Sequence, residues 1–244
     1  MSEELITNIY NAFDPFQPLE PDDPVYVDCH QVRGDENIFR ELGKKIIRSK
    51  QPTCQLYTGH RGVGKSTELK RLKKHLEEKG FLVVYFAADQ EDIDSEDAQY
   101  TDILLACTRH ILEELKNLAS PQPLQEWLKG RWQSLKDLAL TEVSLETVYS
   151  NRATQVRDNY GDCQVLPMIM VRNTDDSVYE PGLKTLKELI GKRVGQFAPD
   201  ASLDTEIFDK SETIERLCLA SGGHVREVMQ LMQTALDWTD DFHY

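Results

Sequence analysis

Apolar residues recur along this chain with two different spacings, and the change from one to the other marks out its elements. In DENIFRELGKKIIRS (35–49), Ile38, Phe39, Leu42, Ile46 and Ile47 fall at helical intervals until Lys50, Gln51 and Pro52 break the pattern. Helical spacing returns over 66–79, with Leu69, Leu72 and Leu76, and in a strong amphipathic stretch carrying Ile103, Leu104, Cys107, Ile111, Leu115 and Leu118. Three short apolar runs lack that period and are strand candidates: TCQLYT (53–58), FLVVYFAA (81–88) and VLPMIMV (165–171). The second is continuous and full of β-branched and aromatic residues, the pattern of a parallel strand covered on both faces. Pro167 suits the start or edge position of the third. Beyond it the pattern is helical to the end: PGLKTLKELIGKRV with Leu183, Leu186, Ile190 and Val194, then DTEIFDKSETIERLCLAS, then GGHVREVMQLMQTALDW with Val225, Val228, Met229, Met232 and Leu236.

Two stretches stand apart from both rhythms. NAFDPFQPLEPDDPVYVD (11–28) holds four prolines among acids, so it reads as an extended arm that either packs on its own domain or docks another protein. Residues 119–162 show a helical pattern after Pro121 and Pro123 and no strong apolar run. The pattern predicts an α/β protein with a parallel sheet and a small all-helical subdomain after it. The expected division is an arm over 1–30, an α/β domain over 31–175 and a helical subdomain over 176–244.

The chemistry concentrates between the first strand candidate and the helix that follows. Gly59, His60, Arg61, Gly62, Val63, Gly64, Lys65 and Ser66 match G-x-x-x-x-G-K-[ST] at every fixed position, with a strand pattern before and a helix pattern after. Glycines at 59, 62 and 64 let successive N–H groups converge as an anion nest, and the next helix adds the positive end of its dipole. Lys65 reaches the β- and γ-phosphates of a nucleotide, the Ser66 hydroxyl ligates Mg2+, and Thr67 reaches the α-phosphate. Hydrolysis needs a further acid. Asp89 after FLVVYFAA and Asp175 and Asp176 after IMVRNT come nearest to a magnesium-directing carboxylate, and neither place has the expected spacing.

Composition narrows the remaining choices. With 244 residues, 40% of them hydrophobic, and no apolar run near the ~18 residues of a membrane span, a soluble protein is expected. The N-terminal MSEELITNIY lacks a basic lead into an apolar stretch, which makes the cytoplasm the expected compartment. Forty-two acidic residues against 28 basic ones, a net charge of −14, argue against broad nucleic-acid binding. The basic run KRLKKH (70–75) reads as a solvated helix face. Five cysteines without pairing or metal-ligand spacing read as buried, reduced thiols. The acidic QEDIDSED (90–97) lacks the ligand order of a calcium loop.

Taken with the glycine loop, YNAFDPFQPLEPDDPVYVD, Val32-Arg33-Gly34, LPMIMVR and SGGHVREVMQLM resemble the bacterial P-loop ATPases of the AAA and STAND type, close in plan to origin-recognition and signalling ATPases. The likeness runs from about residue 9 to 238. It implies a parallel-sheet P-loop NTPase domain, an adenine pocket lined by Val32, Arg33 and Gly34, and a lid whose Arg226 acts as a second sensor toward the γ-phosphate. It also places a magnesium acid and first sensor between the 101–118 helix and LPMIMV. Residues 119–162 show neither, so the chain is either a binder without that acid or one that omits a segment near 145–150. The function this implies is an ATP-binding switch, an ATPase if an acid is supplied, with ATP, ADP and Mg2+ as ligands and with self-association or partner proteins reading its state. The alternatives are a scaffold that holds nucleotide without cleaving it and, less favoured, a small-molecule kinase.

Overall fold

The computed structural model describes residues 3–34, 38–87, 100–118, 164–200, 202–203 and 207–240. Its elements in chain order are α1 (Glu3–Ala12), a 3-10 turn (His30–Val32), α2 (Ile38–Arg48), β1 (Tyr57–Thr58), α3 (Lys65–Glu77), α4 (Tyr100–Leu118), β2 (Gln164–Val165), α5 (Glu180–Gly195), α6 (Ser211–Ala220) and α7 (Val225–Asp240). The chain divides into two units, residues 1–75 with 160–244, and residues 76–159. None of the described helices is long and apolar enough to cross a membrane.

The core of the first unit is helical. α5 presents Leu183, Leu186, Leu189, Ile190 and Val194 on one buried stripe, with Pro181 in its first turn and Lys192 and Arg193 in its last, as the helix dipole favours. Ile214 and Cys218 of α6 and Val228, Met229, Met232 and Leu236 of α7 meet that stripe. So do Ile9 at 0% exposure in α1 and Phe13, also 0%, just beyond it. α1 is a helix that the hydrophobic pattern had not marked. Each large side chain so buried contributes about 1.5–3 kcal/mol, so this cluster is the main source of stability. The helices predicted as a separate lid therefore share one core with α1 and with Val27, Cys29 and Val32.

The expected fold class, a parallel-sheet P-loop NTPase domain with a helical lid, is not the fold of this chain. Among the described residues the only sheet has two strands, pairing Tyr57 with Gln164 and Thr58 with Val165 in parallel. The rest is dominated by seven α-helices. The reason lies in where the backbone amides go. Gln164 donates to Leu56 O and Leu166 to Thr58 O, both at 2.8 Å, but the next amides leave the ladder. Ile169 donates to Gly223 O at 3.1 Å and Met170 to Val32 O at 3.0 Å, so turns between helices take the partners a neighbouring strand would need. Gly223 makes that approach feasible, because a Cβ there would lie 1.7 Å from Ile169 O. At its C-terminal end α3 is closed by Gly80 N–H to Glu77 O and Phe81 N–H to Leu76 O at 2.9 and 3.1 Å, a Schellman end. Residues 81–87 then run without strand structure, with Phe81 and Leu82 exposed. An apolar run alone does not make a strand; it needs an adjacent row of free carbonyls and amides.

The thiols divide. Cys29 and Cys218 are buried and Cys107 partly so, as read from the sequence, but Cys54 is exposed, and Cys163 lies outside the described residues.

Candidate phosphate-binding loop

Residues 59–64 form a glycine-hinged turn between β1 and α3, with φ of +152° at Gly59, +91° at Gly62 and +101° at Gly64. Lys65 opens α3, and Glu68 N–H donates to Gly64 O at 3.1 Å to start its hydrogen-bond ladder. The loop thus joins a run of left-handed backbone directly to the positive end of a 13-residue helix. Val63, wholly buried, anchors it from below, and Arg33 Nη2 donates to Val63 O at 2.7 Å.

Lys65 arches back over the turn, its Nζ donating to Gly59 O and His60 O at 2.8 Å each. Partial burial, and then the positive charge of Arg226, hold its pKa below the usual lysine value. Arg226 comes from the first turn of α7, where its N–H donates to Gly62 O at 3.2 Å. The packing there is tight: a Cβ on Gly62 would fall 2.5 Å from Arg226 Cβ and 2.7 Å from His224 Cε1. Gly62 is therefore needed twice, for its positive φ and for the close approach of α7. In a chain of net charge −14, Lys65 and Arg226 bring two cationic side chains to one glycine turn, an arrangement suited to a polyanionic group.

The remaining predicted residues fall in different places. His60, Arg61 and Ser66 are exposed, Ser66 in the first turn of α3. Thr67 Oγ1 accepts Leu19 N–H at 3.3 Å. Val32 belongs to the helical core at 5% exposure, Arg33 ties down Val63, and Gly34 sits exposed with φ of +95°. Asp175 and Asp176 lie in an exposed turn, Asp175 accepting from the Ser177 N–H and hydroxyl and Asp176 paired with Arg172. Asp89, the acidic 90–97 stretch and residues 119–162 lie outside the described residues.

The sequence had not marked the arm as part of this site. Arg226 Nε donates to Pro15 O at 3.1 Å, and its guanidinium carbon lies 5.3 Å from the centre of the Phe16 ring. Along α3, Lys70 pairs with Glu20 at 2.5 Å and Lys74 with Asp22 at 2.6 Å. Tyr26 OH donates to Glu68 Oε1 at 3.0 Å beneath the Arg71 guanidinium. The lysine run read as a solvated face is thus an acid-facing one. Acids at 20 and 22 against lysines one helical turn apart were the available signal.

Compared with protein-family models, curated proteins and solved structures, the chain gives no significant match.

Proposed function

We propose that residues 59–67 bind the phosphates of ATP or ADP together with magnesium, and that the chain works as a nucleotide-dependent switch. The observation that carries this reading is the convergence of Lys65, Arg226 and the start of α3 on a turn with three left-handed glycines. Lys65 would exchange its two carbonyl contacts for phosphate oxygens, a charge-assisted bond in place of neutral ones. Arg226, a planar fork carried by α7, would report an added negative charge to the helical core. Ser66 would hold magnesium through its hydroxyl. Among the described residues no group of three His, Cys, Asp or Glu could hold a metal ion. When bound, magnesium would supply charge neutralisation to the nucleotide's phosphates.

Calorimetry of the full chain with Mg-ATP, against Lys65→Ala, tests the reading: binding heat in the parent and binding weakened about tenfold or more in the variant is expected. Heat that persists unchanged in the variant overturns it. Phosphate release lost in the same variant marks an ATPase switch; binding without release marks a nucleotide holder.

A further inference from the structure

The segment 14–24 is fastened at both ends by buried apolar side chains. Phe13 at 0% exposure and Val25 at 5% sit in the protein interior, whereas Phe16, between them, is 68% exposed. Between those anchors the strap is held by polar contacts: Pro15 O to Arg226, Leu19 N–H to Thr67, Glu20 to Lys70 and Asp22 to Lys74. Exposed ion pairs of this sort contribute little each and yield to competition and salt. The strap can therefore lift without disturbing the apolar core.

Two of these contacts fall on the residues assigned above to phosphate. Arg226 points its Nε–H at Pro15 O with Phe16 beneath the guanidinium, and Thr67 has Leu19 lodged at its hydroxyl. Glu20 and Asp22 also neutralise Lys70 and Lys74 on the helix that begins at Lys65, which lowers the positive charge an incoming anion meets.

We propose that residues 15–22 are an autoinhibitory strap: docked, the strap engages the Arg226 guanidinium and the Thr67 hydroxyl in competition with phosphate, and a bound nucleoside triphosphate releases it. The inference rests on the phosphate-binding reading of residues 59–67. Because linkage is reciprocal, the factor by which the docked strap weakens nucleotide binding is the factor by which bound nucleotide weakens docking, so loosening the strap tightens binding by at most that factor. Released, the strap frees Phe16 from Arg226 and the acids from Lys70 and Lys74, changing the surface a partner meets.

Hydrogen exchange and calorimetry of the full chain with Mg-ATP test it. Saturating Mg-ATP should speed exchange at the Leu19 amide, now bonded to Thr67. The double variant Glu20→Gln, Asp22→Asn should bind Mg-ATP roughly fivefold tighter. Both side chains are more than 70% exposed, at 73% and 78%, so the variant keeps the fold. Phe16→Ala, also at an exposed position, should tighten binding in the same direction. Binding by the parent with Leu19 exchange and variant affinity unchanged overturns the strap and leaves the phosphate site standing. Binding detected only in the double variant supports the strap. No binding by parent or variants overturns both.

Discussion

The helical core around α5 and the glycine turn before α3 are neighbours in the same unit, yet they are held by different physics. The core closes by burying leucine, isoleucine and methionine side chains, a non-directional force that tolerates small shifts. The turn has one buried apolar anchor, Val63; its shape otherwise depends on backbone conformation and on directed bonds from Arg33, Lys65 and Arg226. Damage to the first should unfold the protein, and damage to the second should change what it binds.

Gly223 lies where the two regions join, and it should give the largest effect. Gly223→Ala adds a Cβ at 1.7 Å from Ile169 O on a residue with φ of +82°, so the 169–171 segment and the start of α7 must separate. A loss of about 4 kcal/mol in a urea melt is expected; an unchanged midpoint would mean the approach is not that close. Leu186→Ala empties a wholly buried position in the core and should cost about 3 kcal/mol. The same melt checks it, and a loss under about 1 kcal/mol would show a looser core than described.

Lys65→Ala sharpens the contrast. Stability should move by less than about 1 kcal/mol, while Mg-ATP affinity falls about tenfold or more for want of a charged hydrogen bond. Its pH dependence follows from the lowered lysine pKa. Phosphate favours the ammonium form, so binding takes up a proton where the free lysine is partly neutral. Affinity should therefore fall as pH rises through that depressed pKa, below the ordinary lysine range. Calorimetry in buffers of different ionisation heat reads the proton directly, and a flat profile would separate Lys65 from the ligand. The folded state alone carries the opposite sense: a depressed lysine pKa costs stability while the group is charged and ceases to do so as pH rises.

The smallest effect is chemical and leaves the fold untouched. Burial pushes the Cys29 thiol up to about 11 and Cys218 up to about 12, whereas Cys54 is exposed. Iodoacetamide at neutral pH should label Cys54 and spare the other two until denaturant is added. Early labelling of Cys218 would mean that α6 opens before the rest of the core.

What was legible in the sequence was local. Leu183, Leu186, Ile190 and Val194 repeat at helical spacing and are buried in α5, because an amphipathic stripe needs only its own helix to be recognised. Glycines at 59, 62 and 64 specified a turn for the same reason: positive φ is a property of single residues. VLPMIMV looked like a strand throughout, but only Val165 pairs as one, with Thr58, because a strand is defined by a distant partner. Its amides at Ile169 and Met170 found Gly223 and Val32 instead. α1 escaped notice because its apolar face is completed by α5 and α7 rather than by its own ten residues.

By itself, then, the order of residues determined the described helices other than α1, the left-handed turn and the lysine beside it, all set by dihedral preference and side-chain chemistry within a few positions. Only the tertiary structure decided that β1 has one short partner among the described residues, that Arg226 reaches Gly62, and that residues 15–22 lie against Arg226 and α3. Those outcomes turn on which carbonyl or carboxylate, scores of residues away, arrives within hydrogen-bonding distance once the apolar helices have closed.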